Sequence, residues 1–123
     1  MERQRPLVTE ILNHTEYWQK IMALSHFVIN VTFDDAFKDG EPEIVAETES
    51  LWQYRQANTK YYLASAYRLD KDEMEGVVVH ELTHVLLSPM ESVTKKDKDE
   101  QCELAVENVT RAFMSIKNEV RRA

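Results

Sequence analysis

Two histidines four residues apart bracket a glutamate in the run Val77-Val78-Val79-His80-Glu81-Leu82-Thr83-His84-Val85-Leu86-Leu87. On a helix this spacing stacks the imidazoles on one face, one turn apart, so both can aim a ring nitrogen at one point. Glu81 follows His80 at about 100° round the helix, beside the imidazole edge. Two neutral imidazoles with an adjacent carboxylate form the half-site of a hydrolytic zinc centre, the glutamate serving as general base to a metal-bound water. The competing structure is a pair of core histidines hydrogen-bonded to carboxylates. Without an ion, that arrangement needs a partner for every buried polar atom.

A catalytic zinc takes three protein ligands and keeps a fourth position open. The extended pattern His-Glu-x-x-His-x-x-Gly-x-x-His is excluded, because Leu87 stands in the glycine position and Met90 in that of the third histidine. The other two histidines, His14 and His26, lie upstream and read as surface or cap residues. A downstream carboxylate is the remaining option. Glu103 and Glu107 stand one turn apart on one edge of a later apolar helical stripe, and residues 85–102 leave room for a loop and a return turn.

On these residues the chain resembles the gluzincin class of zinc metallopeptidases, in which a glutamate on the helix after His-Glu-x-x-His completes the site. The resemblance covers Asp70 to about Phe113. In length the chain is similar to minimal gluzincins and to small metallopeptidases encoded by phages or bacteria. The resemblance implies Glu103 as the third ligand and Glu107 as the acceptor of a histidine N–H, a task for which Asp99 and backbone carbonyls are further candidates. Cys102 replaces the asparagine that precedes the ligand in the commonest gluzincin pattern, so Glu103 and Glu107 remain alternatives at this stage.

The class also implies an upstream strand that borders the cleft and pairs with a peptide substrate. Here that strand would be Lys60 to Leu69, with Tyr61, Tyr62 or Tyr67 placed to stabilise the oxyanion, and Arg111 and His26 as further candidates. The implied activity is Zn2+-dependent hydrolysis of a peptide bond, with His80, His84 and Glu103 on the metal and Glu81 as general base. The rival reading is a zinc-binding structural or regulatory protein of the same fold without proteolytic activity, in which the ion serves folding alone.

The elements that must position these groups follow from periodicity. Val8, Ile11, Leu12, Thr15, Trp18, Ile21 and Met22 recur at helical spacing after Pro6 and predict a helix over Leu7 to Ser25. Phe27, Ile29, Val31 and Phe33 alternate with Val28, Asn30 and Thr32 as a strand does. Ile44 to Glu49 reads as a second strand, Ser50 to Gln56 fits neither state, and Asn58-Thr59 reads as a turn before a strand from Lys60 to Leu69.

Asp70 and Glu73 have capping-box spacing, so the motif helix starts near Lys71. Its expected end is near Leu87, because Pro89 disfavours helical geometry at Ser88. Met74, Val78, Leu82 and Val85 lie opposite the histidines. Asp97 and Glu100 repeat the cap ahead of a last helix from about Lys98. Its expected buried stripe is Cys102, Ala105, Val106, Val109, Ala112, Phe113, Ile116 and Val120. The fold class is therefore α+β and zincin-like: an N-terminal helix and small twisted sheet, an active-site helix, then a glutamate-carrying C-terminal helix.

Length and composition set the frame. The 123 residues suit one domain, 1–123, with 43% hydrophobic residues and only two glycines. A net charge of −7 with scattered basic residues argues against a nucleic-acid partner. No apolar run is long enough for a membrane span, and the start lacks the apolar core of a signal peptide. The single Cys102 suits a reducing compartment, so a cytoplasmic location is expected.

Overall fold

A computed structural model describes the backbone of residues 5–93 and 99–122, with side chains over 5–89 and 103–118. In order, the elements are α1 (Leu7–Ile21), β1 (Val28–Asp34), β2 (Ala46–Leu51), β3 (Gln56–Tyr62), the single-turn α2 (Leu63–Ala66), α3 (Lys71–Val93) and α4 (Asp99–Arg122). This is a mixed α+β fold, with the inner face of a three-stranded sheet packed on helices. No helix among the described residues is long and apolar enough to cross a membrane.

α1 buries Leu7, Ile11, Thr15 and Trp18 at spacings of one helical turn, whereas Val8, Leu12 and Ile21 stay exposed. The helix stops four residues short of the expected Ser25. Ala23 turns left-handed at φ 59°, Ala23 N–H donates to the Lys20 carbonyl, and Leu24 N–H donates to the Gln19 carbonyl. That is a Schellman stop built on alanine instead of glycine, so the usual sequence signal is missing. The Gln19 side chain secures the corner by donating to the carbonyls of Leu24 and Phe27, at 3.0 and 2.9 Å.

β3 is the central strand, parallel to β1 on one side and antiparallel to β2 on the other. Ala57, Thr59 and Tyr61 point inward and are buried. Asn58 faces outward, accepts from the Asn30 amide at 3.0 Å and donates to Glu49. The expected turn at Asn58-Thr59 is therefore wrong: both residues lie inside β3, where side-chain pairing on the wet face accommodates asparagine. The reversal comes earlier, at a 3-10 turn over Trp52–Tyr54 closed by left-handed Arg55. The strand expected over Lys60 to Leu69 is also corrected. The chain leaves the sheet after Tyr62, and Leu63, Ala64 and Ala66, good helix formers, take a helical turn.

α3 opens on a reciprocal capping box, with Glu73 N–H donating to Asp70 Oδ1 at 2.8 Å and Asp70 N–H to Glu73 Oε1 at 2.9 Å. Met74, Val78, Val79, Leu82 and Val85 are buried against α1 and the sheet. The helix does not end near Leu87 but runs on to Val93 with Pro89 inside it. Pro89 has no N–H for the Val85 carbonyl, and the Ser88 hydroxyl takes that role, donating to it at 2.7 Å.

Among the described side chains of α4 the buried ones are Val106, Thr110 and Lys117, while Ala105, Ala112 and Ile116 are exposed, so the expected stripe is rotated over these residues. The rotation follows from what α4 packs against. Lys117 donates to Glu75 of α3, whose other oxygen accepts the Trp18 indole N–H at 2.6 Å. Phe113 meets Trp18 edge-on, with ring centroids 6.1 Å apart. The expected cap at Asp97 and the side chains of Asp99, Cys102 and Val120 lie outside the described residues.

Candidate metal centre

The apolar packing of α3 on α1 and the sheet leaves the strip carrying His80 and His84 turned toward α4. Both histidines are half-buried, with ring centroids 5.0 Å apart. Glu103 reaches across from the first turns of α4. Its Oε1 lies 3.0 Å from His84 Nε2 and its Oε2 lies 3.6 Å from His80 Nε2. One donor atom from each of His80, His84 and Glu103 falls within 4.8 Å of the others.

This set fits zinc. Donors held at ~2.0–2.1 Å around a tetrahedral ion stand about 3.3 Å apart. The two Glu103 separations, one from each carboxylate oxygen, lie on either side of that figure, and the types (two imidazoles and a carboxylate) are those zinc takes in hydrolytic sites.

Glu107, one turn further along α4, faces the other nitrogen of His80, with Oε2 3.2 Å from Nδ1. A carboxylate accepts, so the tautomer with its proton on Nδ1 satisfies this contact and is the one that would leave the Nε2 lone pair free for an ion. Arg111 follows one turn later, its Nε 3.7 Å from Glu107 Oε1.

Glu81 is 7% exposed. Burial pushes its carboxyl up from the ordinary value, opposed by a hydrogen bond from Thr48 and by the two imidazoles nearby. Thr48 Oγ1 donates to Glu81 Oε1 at 2.6 Å, and Thr59 Oγ1 lies 3.1 Å behind it across the sheet. A cavity of about 370 Å3 opens over the centre, walled by Ala46, Glu47 and Thr48 of β2 and by His80, Glu81, His84 and Glu103. A groove of about 580 Å3 continues from His80 and Glu81 along α3, lined by Ile44, Val77, Arg111 and Met114.

The structure thus brings together His80, Glu81, His84, Glu103, Glu107 and Arg111. It does not bring the tyrosines. Tyr61 is buried under the sheet, where burial, then the charge on Glu81, push its phenol up, against a hydrogen bond with Thr15. Tyr62 is buried, with its hydroxyl donating to Glu47 Oε2 at 2.5 Å and not to the histidine cluster. Tyr67 lies past the sheet, beyond α2, and His26 packs edge-on against Phe27. The strand beside the cavity is β2, an edge strand of the sheet, and not the Lys60–Leu69 segment.

Thr48 is the site residue that sequence reasoning missed. Its only signal was a β-branched type in a strand, which fixes no role. In comparisons with known proteins, the chain matches no family model, no curated protein and no solved structure.

Proposed function

We propose that this chain is a zinc-dependent peptide hydrolase of zincin-like architecture. The observation that carries the reading is the convergence of one ligand atom each from His80, His84 and Glu103 within 4.8 Å, beside a buried Glu81. His80, His84 and Glu103 hold the ion, and Glu107 fixes the His80 tautomer. Zinc, when bound, acidifies a water and polarises the scissile carbonyl.

The rest of the chemistry belongs to the chain. Glu81 accepts the proton of the attacking water and returns it to the leaving amine. β2 presents an edge beside the cavity on which an extended peptide can pair, and the groove toward Val77 and Met114 receives one of its side chains. Arg111, on the same groove, is positioned to orient a substrate carbonyl. The lone Cys102 and the absence of a membrane-crossing helix among the described residues agree with a cytoplasmic hydrolase.

The test measures zinc per purified chain and cleavage of a fluorogenic peptide library by the parent and by Glu81→Gln. One zinc per chain and loss of cleavage in the variant are expected. A chain without zinc, or a variant that cleaves like the parent, would overturn the reading.

One observation favours a second reading, a structural zinc without catalysis. The ligand on α4 and those on α3 cross the same polar helix interface, so an ion there staples α4 to the fold. Zinc-dependent stability with no cleaved peptide would decide for it.

A further inference from the structure

The general base in this site is held from the sheet, not from its own helix. Thr48 sits on the inner face of β2 and Thr59 directly opposite on β3, the two being Cα partners in the antiparallel register. Their hydroxyls lie 3.1 Å apart, and Thr48 Oγ1 lies 2.6 Å from Glu81 Oε1.

Proton counting fixes the direction of this chain. A hydroxyl has one proton, and Glu81 in the ionised form that a general base requires can only accept. Thr48 therefore gives its proton to Glu81, and Thr59 gives its own to Thr48. Thr59 is 3% exposed, so little water competes for that bond. Both side chains are β-branched and stiff at χ1, and their spacing is set by the strand ladder behind them.

We propose that Thr48 is a positioning residue for Glu81: it engages one carboxylate oxygen so that the other is presented to the metal cavity, and Thr59 holds Thr48 in that task. This rests on the reading of Glu81 as general base. On its own helix, Glu81 has Leu82 and Val78 packed into the core on either side, which fixes its backbone but not its terminal torsions. The hydroxyl supplies that last constraint. It also ties the base to the strand on which the substrate is proposed to lie, so that peptide and base share one rigid support.

The test uses the full chain loaded with zinc, and separately with Co2+, as the parent and as Thr48→Val, Thr48→Ser, Thr59→Val and Glu81→Gln. Zinc affinity by chelator competition should stay within about threefold of the parent in the threonine variants, since neither residue touches a ligand. On the fluorogenic peptide library, Thr48→Val should lower kcat about 10–100-fold with KM little changed, and Thr48→Ser should restore it to within a few-fold. Thr59→Val should fall between them. In the cobalt-loaded protein, the visible absorption of Thr48→Val should move toward that of Glu81→Gln, while Thr48→Ser matches the parent.

Cleavage and a cobalt spectrum unchanged in Thr48→Val, with Glu81→Gln inactive, would overturn the role of Thr48 and leave the hydrolase reading standing. A Thr48→Ser variant as impaired as Thr48→Val would overturn it equally, by showing that packing and not the hydroxyl matters. Parent-level cleavage by Glu81→Gln would sink the hydrolase reading itself, and the Thr48 role with it.

Discussion

Glu75 of α3 and Lys117 of α4 form an ion pair in which each side chain is only 3% exposed. The second oxygen of Glu75 accepts the Trp18 indole N–H from α1, so one carboxylate joins three helices. Because the pair lies on the same helix interface as His80, His84, Glu103 and Glu107, it sets the register in which the acidic side chains meet the histidines.

Removing one member of this pair strands the other. Lys117→Met should destabilise the protein by about 3–5 kcal/mol, because the Glu75 charge is left buried without its cation. Adding Glu75→Gln should recover most of the loss, since a neutral amide can still accept from Trp18. Urea unfolding of the two single variants and the double variant measures both effects. A Lys117→Met cost no larger than that of an ordinary surface change would mean that the pair is not what holds α4.

Passage of α3 through Pro89 depends on Ser88. Ser88→Ala should cost about 1–3 kcal/mol, because the buried Val85 carbonyl loses the donor that stands in for the missing Pro89 N–H. Combining it with Pro89→Ala restores a backbone N–H at the right place and should return the melting temperature to near that of the parent. If the single variant melts like the parent, the hydroxyl bond is dispensable.

Acid should weaken the fold in two stages. His14 sits 3.8 Å from Glu75, and burial holds its imidazole below the ordinary value of 6.5 despite the raising effect of that carboxylate. For Glu75, burial pushes upward, but Lys117 and the Trp18 N–H hold the carboxyl net below 4.5. Both groups titrate lower folded than unfolded, so the unfolded chain takes up protons first as the pH falls. The stability they contribute is full above 6.5 and declines below it on account of His14. A further decline sets in below 4.5 on account of Glu75. Urea midpoints across this range should show the slope, and His14→Gln should flatten its upper part alone.

Glu103 and Glu107 of α4 should separate in metal binding. Glu103→Ala should lose most of the zinc affinity, whereas Glu107→Ala should weaken it by about 10–100-fold through the freed His80 ring. Zinc at about 1,000 times its Kd should add about 4 kcal/mol to the parent's stability, and a chelator should remove it. Isothermal titration and melts with and without chelator test both statements. A reversed order would exchange the roles of the two glutamates.

The parts of this molecule that were legible from the sequence rest on short-range rules. His80, Glu81 and His84 share one helix, the Asp70–Glu73 cap needs three residues, and β1 shows its alternation plainly. Glu103 and Glu107 could be nominated together because they too lie on one helix face. What misled was a local rule overridden at a distance. Asn58 reads as a turn until Asn30 and Glu49 are seen beside it, and Pro89 reads as a stop until Ser88 bonds to Val85. Ile116 reads as core until Lys117 finds Glu75. Thr48 could not be found at all, because its meaning lies in a partner 33 residues away.

That separation along the chain has a kinetic consequence. The three proposed ligands fall within residues 80–103 on two successive helices, so gathering an ion there would close only a short stretch of chain. The contact that fixes Glu81 requires β2 and β3 to pair and then dock on α3, a slower, long-range event. On the proposed reading, metal capture would come early in folding and the competent base late, so that a freshly made chain would close around its ion before it could cut anything, its neighbours included.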